Sequence, residues 1–79
     1  MSTLDRIKNV CAELLKVETS RVQKDSRFVE DLGADSMQSI ELVAAFEEEF
    51  DIEMDEDAAL GVKTVSDAVV FIDKVIAEG

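Results

Sequence analysis

Ser36 is the side chain in this sequence best placed for covalent chemistry, because of its neighbours. The run Gly33-Ala34-Asp35-Ser36-Met37-Gln38 reads as a loop handing over to a helix. Asp is a favoured N-cap, and Gln three residues later completes a capping box, so Asp35 and Gln38 put Ser36 at the first helical position. A helix begins with free backbone N–H groups and a positive dipole end. Those suit a phosphate attached at that hydroxyl. Taken alone, the same Asp-Ser pair is also a plain helix cap with no chemistry attached. The chain contains no histidine, which removes the usual general base and the common Ser-His and Cys-His nucleophiles. Any reaction at Ser36 is therefore expected to be catalysed by another protein.

Two other groupings invite a chemical reading. Asp51, Glu53, Asp55, Glu56 and Asp57 resemble a calcium loop. That loop needs Gly at its sixth position and Glu at its twelfth, and counting from Asp51 these hold Glu56 and Val62. The template fails, and no metal site is expected beyond weak, non-specific divalent binding. Cys11 is the single cysteine. It falls within an apolar stripe, so it reads as a small core residue rather than a reactive thiol.

Charge narrows the range of partners. The 79 residues carry a net charge of −11, which opposes binding to nucleic acid or to an anionic membrane surface. Residues 28–62 contain no Lys or Arg, and all eight basic residues lie outside them. A solvated acidic face is the ordinary meaning of such a run. Because it flanks Ser36 on both sides, a docking face for basic partners is the sharper reading. No stretch is apolar enough to span a membrane, and Asp5, Arg6 and Lys8 interrupt any signal-peptide core. The expectation is one small cytoplasmic domain over residues 1–79, without stable membrane insertion and acting as a monomer.

The elements that must position Ser36 follow from apolar spacing. Ser2 or Thr3 caps a first helix carrying Leu4, Ile7, Val10, Cys11, Leu14 and Leu15 on one stripe, fading over residues 16–18. A long connection over residues 19–34 follows, with Phe28 and Leu32 expected to pin it to the core and Gly33 to allow a tight approach to the helix start. The second helix covers residues 36–50, with Leu42, Phe46 and Phe50 inward and Ser39 or Val43 a turn away. Met37, Ile40, Glu41, Ala44, Glu47 and Glu48 lie toward the other side, where apolar groups ringed by acid suggest a protein-binding surface. A short third helix over residues 55–60 stops at Gly61. Thr64 caps a last helix whose stripe is Val65, Ala68, Val69, Ile72, Val75 and Ile76. The fold class is all-α, a small bundle of three longer helices and one short one.

The run from Phe28-Val29-Glu30-Asp31-Leu32 through Gly33-Ala34-Asp35-Ser36, continuing into Ile40-Glu41-Leu42-Val43 and Phe46-Glu47-Glu48-Glu49-Phe50, closely resembles the acyl carrier protein family. The likeness extends over essentially the whole chain. It implies that Ser36, flanked by the capping Asp35, carries 4′-phosphopantetheine derived from coenzyme A, and that acyl groups ride on it as thioesters. It implies as partners a phosphopantetheinyl transferase and fatty-acid-synthesis or acyltransferase enzymes with basic docking patches, met through the second helix. It also implies that an acyl chain slips between helices against Leu42, Val43, Phe46, Ala59, Leu60, Val62, Val65, Ala68 and Ile72. Each methylene so buried is worth about 0.8 kcal/mol. Met37 replaces the family's usual Leu, Gln38 a commonly acidic residue, and Asp55 a frequent Pro. Specialised polyketide, nonribosomal-peptide and aminoacyl carriers share the motif. A different class, an acidic helical interaction or cation-buffering module with Ser36 as a mere cap, also fits the residues taken without the resemblance.

Overall fold

The computed structural model describes residues 2–78, apart from the side chains of Glu56 and Ala58. Helix α1 (Thr3–Leu15) starts at a reciprocal box in which Ser2 Oγ accepts the Asp5 N–H at 3.1 Å. It ends at Lys16, in the left-handed conformation with φ 57°. Ile7 and Cys11 are fully buried, while Leu4, Val10, Leu14 and Leu15 pack at the margin of the core. The sequence spacing anticipates this stripe because each of these residues lies three or four positions from the next.

The connection that follows is more ordered than an open loop. A 3-10 turn at Thr19–Arg21 opens it. Val22, Phe28, Leu32 and Ala34 then enter the core, with the Phe28 ring tilted against Phe46 at 6.4 Å between centroids. Its backbone groups are satisfied from two sources. The Phe28 N–H donates to Lys63 O at 3.0 Å, the Val65 N–H to Ser26 O at 3.0 Å and the Ser66 N–H to Lys24 O at 2.8 Å. Arg27 and Thr64 thus form an isolated antiparallel bridge. Within the loop, Asp31 and Leu32 donate to Arg27 O, and Ala34 to Phe28 O. A buried segment needs such pairing, since an unpaired amide away from water is costly.

Helix α2 (Ser36–Phe50) buries Leu42, Phe46 and Phe50, as its spacing anticipates. Val43 packs at the edge of the core, and Ser39 turns its hydroxyl back to donate to Asp35 O at 2.9 Å. Helix α3 (Glu56–Ala59) is one turn, shorter than the expected six residues. Asp55 stands ahead of it, its carboxylate accepting the Asp57 N–H at 3.0 Å. Leu60 falls beyond the helix and is 78% exposed, so it does not join the lining expected of it. The three longer helices carry the buried helical residues, and the single turn of α3 adds Ala59 at the margin of the core.

Helix α4 (Val65–Glu78) starts at Thr64, whose Oγ1 accepts the Asp67 N–H at 3.1 Å. Val65, Ala68 and Ile72 are buried, but Ile76 is exposed and Val75 only half-buried. The reason is the length of α1. Thr3 Oγ1 donates to Asp73 at 2.6 Å, so α1 begins level with residue 73, and the last turn of α4 runs past it. Helix α1 lies along both α2 and α4, while the latter two keep their backbones apart. Among the described residues there is no strand, and no helix is long and apolar enough to cross a membrane.

Candidate functional site

Asp35 holds the entrance to α2 in extended conformation, φ −89° and ψ −177°. Its Oδ1 accepts the Gln38 N–H at 2.7 Å, and Gln38 Oε1 accepts the Asp35 N–H at 3.1 Å. Ser36 is the first residue of the helix and is exposed. Among the described residues its hydroxyl and the N–H groups of Ser36 and Met37 have no hydrogen-bond partner. A nucleophilic oxygen therefore stands free beside unclaimed donors, the arrangement a phosphodiester needs.

The turn before it is fixed in two ways. Ala34 is buried and anchors the loop one residue before the cap. Gly33 has φ +74°, and a Cβ built there would meet nothing within 4 Å. Its requirement is thus the left-handed backbone and not the tight approach expected from the sequence. Two residues upstream, Asp31 accepts the Arg27 N–H at 2.8 Å. That backbone hydrogen bond, aided by the Arg27 guanidinium, holds the Asp31 carboxyl below its ordinary value.

Around Ser36, α2 presents the surface its sequence suggests, with one exception. Met37 and Ile40 are each 70% exposed, and Glu41, Ala44 and Glu48 are exposed beside them. Among the described residues no cation pairs with Glu41 or Glu48; the ion pairs are Arg6 with Glu49 and Arg27 with Glu30 and Asp31. Glu47 is the exception. It is half-buried, and its Oε2 accepts the Met54 N–H at 3.1 Å. Nothing in the local pattern signals this bond, because its partner lies beyond the end of the helix. Arg6 was equally hidden: its guanidinium sits 4.3 Å from the Phe50 ring centroid while pairing with Glu49 at 2.8 Å.

The residues expected to line a chain-binding space are mostly together. Leu42, Phe46, Val65, Ala68 and Ile72 are buried in one cluster, with Val43, Ala59 and Val62 packed at its margin. The acidic loop does not gather ligands: among the described residues no three carboxylate or thiol groups converge on a point. Glu56, one of the carboxylates in the calcium-loop comparison, has a side chain outside the described set. Burial pushes the Cys11 thiol up to about 12, so it stays protonated near neutral pH.

The phosphopantetheine attachment site family model matches residues 5–72. A curated relative from Sulfurovum sp. (strain NBC37-1), an acyl carrier protein, is 51% identical over 75 residues, covering 95% of this chain and all of that protein. This chain belongs to the acyl carrier protein family. Acyl carrier proteins are carriers and not catalysts, in keeping with a chain that has no histidine. Their domain is the site of covalently attached 4′-phosphopantetheine. The geometry here suits that group: one exposed hydroxyl, without a hydrogen-bond partner among the described residues, at the positive end of a fifteen-residue helix.

Proposed function

We propose that Ser36 is the attachment point and that this carrier presents acyl intermediates to enzymes of fatty acid biosynthesis. The observation that supports this most is the free Ser36 hydroxyl at the start of α2. In loading, Ser36 Oγ forms the new O–P bond while the nucleotide half of coenzyme A leaves. The Ser36 proton passes to a base on the transferase, since this chain has no His to take it. The unclaimed N–H groups of Ser36 and Met37 would be the donors available to a phosphodiester there, and the helix start would favour its charge. When bound, the arm supplies a terminal thiol that holds an acyl group as an activated thioester.

The exposed strip of Met37, Ile40 and Ala44, rimmed by Glu41 and Glu48, supports docking to basic patches on a phosphopantetheinyl transferase and on acyl-handling enzymes. The cluster of Leu42, Val43, Phe46, Ala59, Val62, Val65, Ala68 and Ile72 supports a cargo space where only side chains fill the gap between the α2 and α4 backbones. On this reading the chain acts as a monomeric, single-domain carrier in the cytoplasm.

The deciding measurement is intact mass before and after incubation with coenzyme A and a broad-specificity phosphopantetheinyl transferase. The parent gains one phosphopantetheine, or already carries it, and Ser36→Ala does neither while keeping its helical circular dichroism. A folded, unmodified parent that gains nothing would leave the acidic interaction module as the better account.

A further inference from the structure

Sulfur occurs in this sequence at Cys11 and at Met1, Met37 and Met54. There is no Trp, Tyr or His, the other side chains that oxidants commonly attack. Burial separates the sulfur atoms. Cys11 is fully buried and Met54 is only 9% exposed, both inside the core cluster. Met37 is 70% exposed. Met1 lies outside the described residues. Large apolar side chains exposed among the described residues are Val29, Met37, Ile40, Leu60, Val70 and Ile76, and of these Met37 alone holds an atom that a peroxide attacks. A thioether has no proton to lose, so its oxidation depends on access and not on pH.

The accessible sulfur stands beside the site. Met37 follows Ser36 directly, in the first turn of α2. Ile40 and Glu41, three and four residues on, share its side of the helix. Met37 and Ile40 are the two large apolar groups of that strip, and Met37 is the one next to the hydroxyl. Oxidation turns a flexible apolar thioether into a polar, chiral sulfoxide. A partner that meets Met37 with an apolar surface would then have to bury a sulfoxide oxygen without a donor, which is costly. The neighbouring Glu41 carboxylate is an acceptor too and cannot satisfy it. The fold has nothing at stake, because Met37 takes no part in the core cluster.

We propose that Met37 is an oxidative modification site that controls Ser36: a hydroperoxide converts its thioether to the sulfoxide, and the sulfoxide slows transfer of the arm to the neighbouring hydroxyl. In the forward step an S–O bond forms as the peroxide O–O bond breaks. The sulfur gives up an electron pair, and the peroxide is reduced to water or an alcohol. In the reverse step a dithiol reductase removes the oxygen as water and is left with a disulfide. The loading half rests on the carrier reading, whereas the oxidation half concerns the free protein alone.

The test treats the full chain, before any arm is attached, with hydrogen peroxide. Peptide mass mapping finds the added oxygen on Met37 well before Met54, and the helical circular dichroism does not change. Equal rates at Met37 and Met54 overturn the proposal, as does loss of helix in step with the Met37 sulfoxide.

After the peroxide is removed, loading by the phosphopantetheinyl transferase is read as the initial rate divided by the rate of the same protein before treatment. In the parent this ratio falls to about a tenth, the scale of burying one polar group without a partner. In Met37→Leu the ratio stays near one whatever its starting rate, although Met1, Met54 and Cys11 are all still present. Methionine sulfoxide reductases for both epimers, with dithiothreitol, restore the parent's mass and its loading rate together. A parent ratio near one, an equal fall in Met37→Leu, or a rate that stays low after the mass is repaired overturns the control of Ser36. A transferase that fails to load the untreated parent defeats the carrier reading and the loading half with it, while the peptide map still decides the oxidation site.

Discussion

Three serines in this chain show how little residue type says without its setting. Ser26 is buried, and its hydroxyl accepts the Gln23 N–H at 2.9 Å, stapling the loop. Ser39 gives its hydroxyl to Asp35 O. Ser36 has no partner for its own among the described residues. The free one was legible in the sequence because the Asp35–Gln38 box is local and spans four residues. Cys11 was legible too, as a stripe residue, and its burial has a consequence with a definite sign. An ordinary thiol ionises near 9.0, whereas here the folded state holds its proton up to about 12. Above pH 9 the unfolded chain releases a proton that the folded chain keeps, so stability falls as pH rises, by about 1.4 kcal/mol per unit. Urea midpoints at pH 8, 9 and 10 should decline more steeply in the parent than in Cys11→Ala. Iodoacetamide at pH 8 should leave the native parent unmodified and label it in urea.

At the scale of elements, caps and stripes were readable, and the ends of elements were not. Helix α1 begins and α2 begins at reciprocal boxes written in their own sequences. The last turn of α4 carries an apolar Ile76 that faces solvent, because α1 is too short to cover it. Arg6 joins α1 to the end of α2 through Glu49 and the Phe50 ring, and it also donates to Glu49 O. Both partners of the ion pair are more than a third exposed, so solvent screens much of its attraction. Arg6→Ala should cost about 1 kcal/mol in all, split between ion pair and ring stacking. Denaturation at low salt and in ~1 M salt separates them: the ion-pair share disappears with screening, and the stacking share remains. Arg6→Lys should recover the first and not the second.

For the molecule as a whole, the charge of −11 works in two directions. On the proposed reading it draws basic partners toward the α2 face, and it strains the folded state through self-repulsion. Raising salt from about 0.01 M to about 0.15 M shortens the screening length from about 30 Å to about 8 Å. The melting temperature should rise on the order of 5 °C, the shift that about 1 kcal/mol produces in a domain of this size. The same change should slow association with the transferase. A melting temperature that falls with salt would mean that the three ion pairs found among the described residues outweigh the repulsion among the remaining carboxylates.

The sequence by itself determined what depends on near neighbours. These are the capped serine, the three long amphipathic helices, the acidic stretch without a cation and the absence of a catalytic base. Each follows from residues within a few positions of one another, where geometry is set by the helical repeat. Tertiary structure decided the rest. It set the one-turn length of α3, the exposure of Leu60 and Ile76, the pairing of the long loop with residues 63–66, and the turning of Glu47 toward Met54. Those outcomes depend on which helix lies beside which and where each one stops. A side chain's partner across such a contact is chosen by distance in space, which no local period encodes.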